Sequence, residues 1–214
     1  MLLFIKDKPR NAAMNMAIDE VIFDNLQDDA VLRIYLWDKA YTTIGYFQKN
    51  EAEATRRLTG GLLVNHKNDV SYGFCANAQS WQHIYNQEDT YKYIHTAIKK
   101  ALKALGYNSN FAQVTSQKQT LCVQTLYTDD LMYNGKKILG SCMRRRGKKI
   151  LVQGSVHLQL EDAAIEKFAA EFAKNLAEIL DTNFKEIKLT DAHLQKAKAI
   201  AEEKYLNDSW NKKF

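Results

Sequence analysis

The 214-residue chain sets 30 Lys and Arg against 25 Asp and Glu, a net charge of +5, and is 46% hydrophobic. That supplies the core of one large domain while excluding a membrane span, since no apolar run approaches the roughly 18 residues one requires. Three cysteines, Cys75, Cys122 and Cys142, are too few and too irregular for a disulfide framework or a zinc site, so no metal is expected and a reducing cytoplasm is the simplest home.

The positive balance favours acidic partners without naming them. One proline, Pro9, and no Ser/Pro/Gly-rich stretch leave nothing that reads as a linker. Residues 1–5 read as a strand. After Asn11, Met14, Ala17, Ile18, Val21 and Ile22 follow helical spacing, with Asp19 and Glu20 expected on the other face. Residues 31–37 and 42–47 are rich in β-formers. Residues 62–65 and 70–76 read as strands around a polar bend at 66–69. A helix is expected over 89–105, with Gly106 as its stop.

The clearest hairpin joins 130–133 to 137–141 through Asn134-Gly135, two residues that tolerate the positive φ of a type I′ turn. A strand over 150–160, a long amphipathic helix over 162–180 and a last helix from an N-cap at Thr190 to about 205 complete the pattern. Strands dominate the first two thirds and helices the end. This argues for an α+β fold, a large mixed β-sheet flanked by helices, and against a doubly wound nucleotide fold.

Three segments carry chemistry. Arg56-Arg57-Leu58-Thr59-Gly60-Gly61 runs toward His66; glycines let backbone N–H groups approach a ligand, and arginines pair with anions or pin a loop. By itself such a loop is a common structural turn. At Lys136-Lys137 successive side chains of a strand must point to opposite faces, so one faces solvent and the other can reach inward or across an edge. A lysine held beside an apolar pocket neutralises an acyl oxygen. Cys122 lies 15 positions upstream of Lys137, and cations in the adjacent hairpin would raise its thiolate fraction. Cys75 and Cys142 read as structural. The run 144–149 reads as a second basic turn, of the kind that is usually solvated.

In order along the chain, Asn15-Met16-Ala17-Ile18-Asp19-Glu20, Leu32-Arg33-Ile34-Tyr35-Leu36-Trp37, Thr43-Ile44-Gly45-Tyr46-Phe47-Gln48, Arg56-Arg57-Leu58-Thr59-Gly60-Gly61 with Val64 and His66, Asp130 to Ser141, Gln153-Gly154-Ser155, and Glu203-Lys204-Tyr205 with Trp210-Asn211 resemble the signatures of the lipoate–protein ligase A and octanoyltransferase family. The resemblance covers nearly the whole chain. It implies the biotin/lipoate protein ligase catalytic-domain fold as a single domain over 1–214, without the accessory domain of true ligases. Lys137 would contact the acyl carbonyl, and Cys122 stands where the cysteine-dependent octanoyltransferases place their nucleophile. Arg56, Arg57, Thr59, Gly60, Gly61, His66, Gly140, Ser141 and Gly154 would bind substrate. The implied partners are acyl carrier protein and lipoyl-domain proteins, glycine cleavage H protein or a 2-oxoacid dehydrogenase E2 subunit, with neither nucleic acid nor membrane. A transferase needs no cofactor. The alternative, a lipoate–protein ligase acting through an adenylate, needs ATP and Mg2+ and could rely on a separate accessory subunit. Leu62, standing where ligases usually have a third glycine, leans toward the transferase.

Overall fold

Alternation along the strands sorts side chains to two unlike faces. In the computed structural model, which describes residues 1–51, 53–81, 84, 86–113 and 127–214, the first half runs β1 (Leu2–Lys6), α1 (Ala12–Asn25), β2 (Ala30–Tyr35), β3 (Tyr41–Ile44), β4 (Thr55–Arg56), β5 (Val64–His66), β6 (Val70–Asn77) and α2 (Gln87–Ala104). It continues with β7 (Asn110–Phe111), β8 (Leu131–Tyr133), β9 (Lys136–Arg146), β10 (Lys149–Val156), α3 (Asp162–Ile179), β11 (Phe184–Glu186), α4 (Asp191–Ile200), a π-helical turn Ala201–Tyr205 and α5 (Asp208–Asn211). Eight strands form one mixed sheet in the order β11-β1-β2-β6-β10-β9-β8-β7, and β4-β3-β5 form a small second sheet. Strand β1 runs parallel to β2 and β11, and the remaining neighbours in the large sheet are antiparallel.

One face is apolar. Leu32 and Ile34 of β2, Tyr72 and Phe74 of β6, and Ile150 and Val152 of β10 pack with Ile94 and Ile98 of α2 and Phe168 and Phe172 of α3. The opposite face meets α1, which is itself covered by α4 and the π-helical turn. Here the sheet carries Arg33, Ser71, Gln153 and Ser155, all buried. Helix α1 answers with polar residues, so Asp19 and Glu20 are buried and do not form the solvent face expected of them. Asp19 binds Arg33 at 2.7 Å and Glu20 binds Lys204 at 2.7 Å. A helix covered on both sides has no free face for charges, and each is neutralised by a partner instead.

The hairpin forms as the sequence predicts, with Asn134 at φ 49° and Gly135 at φ 73°. Other boundaries move. Strand β3 ends at Ile44, and Tyr46 turns away as its N–H bonds the Thr59 carbonyl. His66 belongs to β5 and not to the bend after it. Arg144, Arg145 and Arg146 extend β9, because they pair with Leu151, Ile150 and Lys149 of β10; the turn is confined to Gly147 and Lys148. The short strands β4, β7 and β11 and helix α5 carry too few residues for a periodic signal.

The small sheet is tied to the end of the chain by Arg56. Its guanidinium donates to the carbonyls of Gly45, Tyr46, Gln48, Trp210 and Asn211 at 2.6–3.2 Å. Its backbone N–H donates to Asn211 Oδ1, and Trp210 Nε1 donates to its carbonyl. This is the structural content of the Trp-Asn signature near the chain's end. Lysine lacks the planar fork that reaches several carbonyls at once. Both Arg56→Ala and Arg56→Lys are therefore expected to lower unfolding free energy in urea by roughly 2–4 kcal/mol, the order expected for stranding carbonyls bonded to a charged donor.

Candidate active site

Lys136 is exposed and Lys137 turns inward, as strand alternation requires. The Lys137 side chain is only 3% exposed, and its Nζ lies 2.6 Å from Asp130 Oδ2, itself 4% exposed. Asp130 is fixed in turn by the Tyr127 N–H at 2.8 Å. The β8–β9 register shifts between Leu131 and Met132, and a bulge of this kind re-aims the side chain beside it. Lys137 lies across Gly140, where a Cβ would sit 2.8 Å from both Cε and Nζ. Any side chain at 140 would displace the amine.

Two cavities meet at Lys137. A small one of about 40 Å³ is lined by Met16, Tyr35, Trp37, Val64, His66 and Gly154, among others. A larger one of about 770 Å³ lies between β9, the N-terminal half of α2 and the Gly60-Gly61 loop. Lys137 and Cys142 line both. Gly61 adopts φ +83°, and a Cβ there would fall 2.1 Å from Cys142 Sγ, so only glycine lets the loop pass the sulfur.

The loop is held from beneath. Thr59 donates to Gln153 Oε1 at 2.9 Å, Gln153 donates to Asp19 Oδ2 at 2.7 Å, and Asp19 is paired with Arg33. Arg57 donates to the Gly60 and Leu62 carbonyls and, at 2.7 Å, to Thr43 Oγ1. Thr43 is bonded to His66 Nε2 at 2.8 Å, and His66 Nδ1 lies 2.7 Å from Asp69 Oδ2. Burial alone would raise the Asp69 carboxyl, but the hydrogen bond and charge of His66 bring it down to about 2. The His66 ring stacks on Trp37 with centroids 4.0 Å apart.

Of the residues expected to bind substrate, Arg57, His66, Gly140 and Gly154 line the small cavity and Gly60, Gly61 and Ser141 the larger one. Arg56 and Thr59 line neither; both are fully buried and support the loop. Cys122 falls outside the described residues. Cys75 is buried in β6, and burial pushes its thiol well up, as a structural cysteine should be. Cys142, read from sequence as another such residue, instead presents its sulfur at the seam of the two cavities. Asp130, Gln153, His95 and His157 were also not singled out as site residues. Asp130 had a usable signal, an acid brought back to the lysine by a two-residue turn.

Among the described residues no group of three or more His, Cys, Asp or Glu side chains is placed to hold a metal ion, and no helix is long and apolar enough to cross a membrane.

Two solved structures share this architecture. Protein Ta0514 of T. acidophilum superposes with a TM-score of 0.79 at 22% identity, covering 100% of this chain and 98% of its own. A lipoate-protein ligase A bound with ATP gives 0.77 at 20% identity, covering 98% and 97%. The fold is thus the catalytic-domain fold of the lipoate ligase type, with a buried lysine at its cavity seam. Residues 11–196 match the lipoyl protein ligase A/B catalytic domain, and the chain belongs to that family. The octanoyltransferase LipM of Clostridioides difficile (strain 630) is 30% identical across 98% of this chain and 97% of its own length. That similarity supports an acyltransferase of protein lipoylation over the ligase alternative.

Burial pushes the His95 ring down to about 4, against the Asp129 carbonyl bond that raises it, and nearby Lys137 lowers it further. An unfolded histidine titrates near 6.5. Below that value the unfolded chain binds the extra proton, so stability complete above about 6.5 is lost as pH falls toward about 4. The loss from His95 is roughly 3 kcal/mol, and His157, also lowered by burial, adds in the same direction. Urea unfolding at pH 7.5 and 4.5 should show a smaller stability difference for His95→Gln than for the unaltered chain.

Proposed function

We propose that the chain takes an octanoyl (or lipoyl) group from the thioester of acyl carrier protein and delivers it to the lysine amine of a lipoyl domain, on glycine cleavage H protein or a 2-oxoacid dehydrogenase E2 subunit. The observation that carries this reading is the Lys137 ammonium, buried, held by Asp130 and set at the seam of the two cavities. A cation withdrawn from water interacts strongly with charge that develops on a neighbouring oxygen.

The Cys122 thiolate attacks the thioester carbonyl and the oxygen becomes an oxyanion against Lys137. The carrier thiolate leaves, giving an octanoyl thioester on Cys122. The lipoyl-domain amine then attacks, the oxyanion forms again, and Cys122 leaves with the amide complete. A thioester is already activated, so the reaction requires neither ATP nor metal. Gly60, Gly61, Gly140 and Ser141 border the acyl carbonyl, with Arg57 and His66 shaping the wall behind it. The reading suits the cytoplasm, where a cysteine nucleophile stays reduced. The ATP- and Mg2+-dependent ligase shares this fold and is the competitor that experiment must separate.

Intact mass after incubation with octanoyl-carrier protein, without ATP, should show one octanoyl adduct that is absent from Cys122→Ser. Transfer to a lipoyl domain should fall roughly 100- to 1,000-fold in Lys137→Met, the usual cost of losing an oxyanion donor. No adduct without ATP, with lipoyl-domain modification appearing once ATP and Mg2+ are added, would replace this reading by the ligase.

A further inference from the structure

A polar row lies on the α2 side of β9, and apart from Ser141, which borders the acyl carbonyl, it takes no part in the mechanism above. Ser141 Oγ lies 2.7 Å from His95 Nε2, and the same oxygen is bonded to the Tyr72 hydroxyl. His95 Nδ1 is bonded to the Asp129 carbonyl. The directions follow from valence. A carbonyl only accepts, so Nδ1 carries the proton of the ring. The ring is buried, which keeps it neutral and leaves Nε2 as a lone pair. Ser141 must therefore donate its single proton to His95, and Tyr72 must donate to Ser141. A hydroxyl oxygen has two lone pairs, and Tyr72 fills one. Ser141 is only partly buried and lines the larger cavity together with Lys137, so the other lone pair is left for a donor that enters there. Gly154 makes room for the row, since a Cβ there would fall 2.5 Å from Ser141 Oγ and 2.7 Å from the Tyr72 ring.

We propose that Ser141 accepts an N–H of the incoming amine in the amide-forming step, and that His95 and Tyr72 are positioning residues that turn its hydroxyl to accept and not to donate. The proposal rests on the acyl-transfer reading and adds to it a residue that recognises the nucleophile. Lys137, a donor, and Ser141, an acceptor, divide the cavity between carbonyl oxygen and amine. In the step itself the nitrogen lone pair forms the C–N bond and the carbonyl oxygen takes up charge beside Lys137. On collapse the C–S electron pair leaves with sulfur as a thiolate. Of the two N–H bonds on that nitrogen, one stays on Ser141 and becomes the amide N–H; the proton of the other goes to the departing thiolate. A thiolate nucleophile has no N–H to offer, so this hydrogen bond of Ser141 does nothing for it.

That difference supplies the test. Transfer from octanoyl-carrier protein is measured to two acceptors, the lysine of a lipoyl domain and the small thiol N-acetylcysteamine. Ser141→Ala should lose roughly 10- to 100-fold more with the lysine than with the thiol, the worth of a hydrogen bond to a group gaining charge. His95→Gln, whose amide keeps both a donor for Asp129 and an acceptor for Ser141, should keep transfer to lysine. His95→Leu, which frees the hydroxyl to rotate, should lose it with the thiol reaction spared. Equal losses with both acceptors, or Gln and Leu variants that behave alike, overturn the proposal. Failure of the unaltered chain to acylate either acceptor removes the acyl-transfer reading, and this proposal with it.

Discussion

An ammonium group stripped of water must be met by an opposite charge or the fold pays for its desolvation. The Lys137–Asp130 pair answers that constraint, and the site is built around it. Both residues come from one hairpin, so the Asn134-Gly135 turn that sets the register also brings the charges together. Gly140 leaves room for the amine, and Gly61 lets the loop close over Cys142 beside it. The pair stands where a narrow cavity, its wall more apolar than polar, meets a wide one whose wall is part polar and part apolar. Such a junction suits an acyl carbonyl, which has a hydrocarbon tail on one side and a carrier arm or an amine on the other.

Behind the junction, buried polar groups are joined into rows that end in the loop. Arg33, Asp19, Gln153 and Thr59 form one. Arg57, Thr43, His66 and Asp69 form another. Breaking one link leaves a buried charge or hydroxyl without its partner, which costs more than the link itself contributed. A loop whose supports are all buried holds its backbone in one place, and oxyanion stabilisation depends on that preorganisation. Arg56 extends the same logic to the 45–48 segment, anchoring it to the end of the chain.

Much of this was legible in the sequence, for reasons that can be named. Lys136 and Lys137 had to take opposite faces, the family resemblance singled out Lys137, and Asn-Gly allows few other turns. The order of strands and helices pointed to the α+β fold and mixed sheet, and the ordered signatures from Asn15 to Asn211 to the family's version of it. What escaped depends on partners distant in the chain. Arg56 reads equally as an anion binder or a loop pin until Trp210 and Asn211 supply the carbonyls it bonds. Thr59 reads as a loop contact until Gln153 accepts its hydroxyl. Asp19 looks solvent-facing until Arg33 is found buried against it. Cys142 looks like a strand interior residue because its exposure is decided by a glycine loop some eighty positions earlier. The basic run 144–146 looks like a turn because charge mimics solvation, although Arg144 lies over Tyr46 and Arg146 over Phe23.

The central claim is electrostatic: the buried amine at 137 polarises the acyl carbonyl. Isotope-edited infrared spectroscopy of a carbonyl-labelled octanoyl thioester analogue, bound but unable to react, reads that polarisation directly. A carbonyl stretch that drops below its solution value on binding, and returns toward it in Lys137→Met, is the expected result. A stretch that is the same in both proteins contradicts the account.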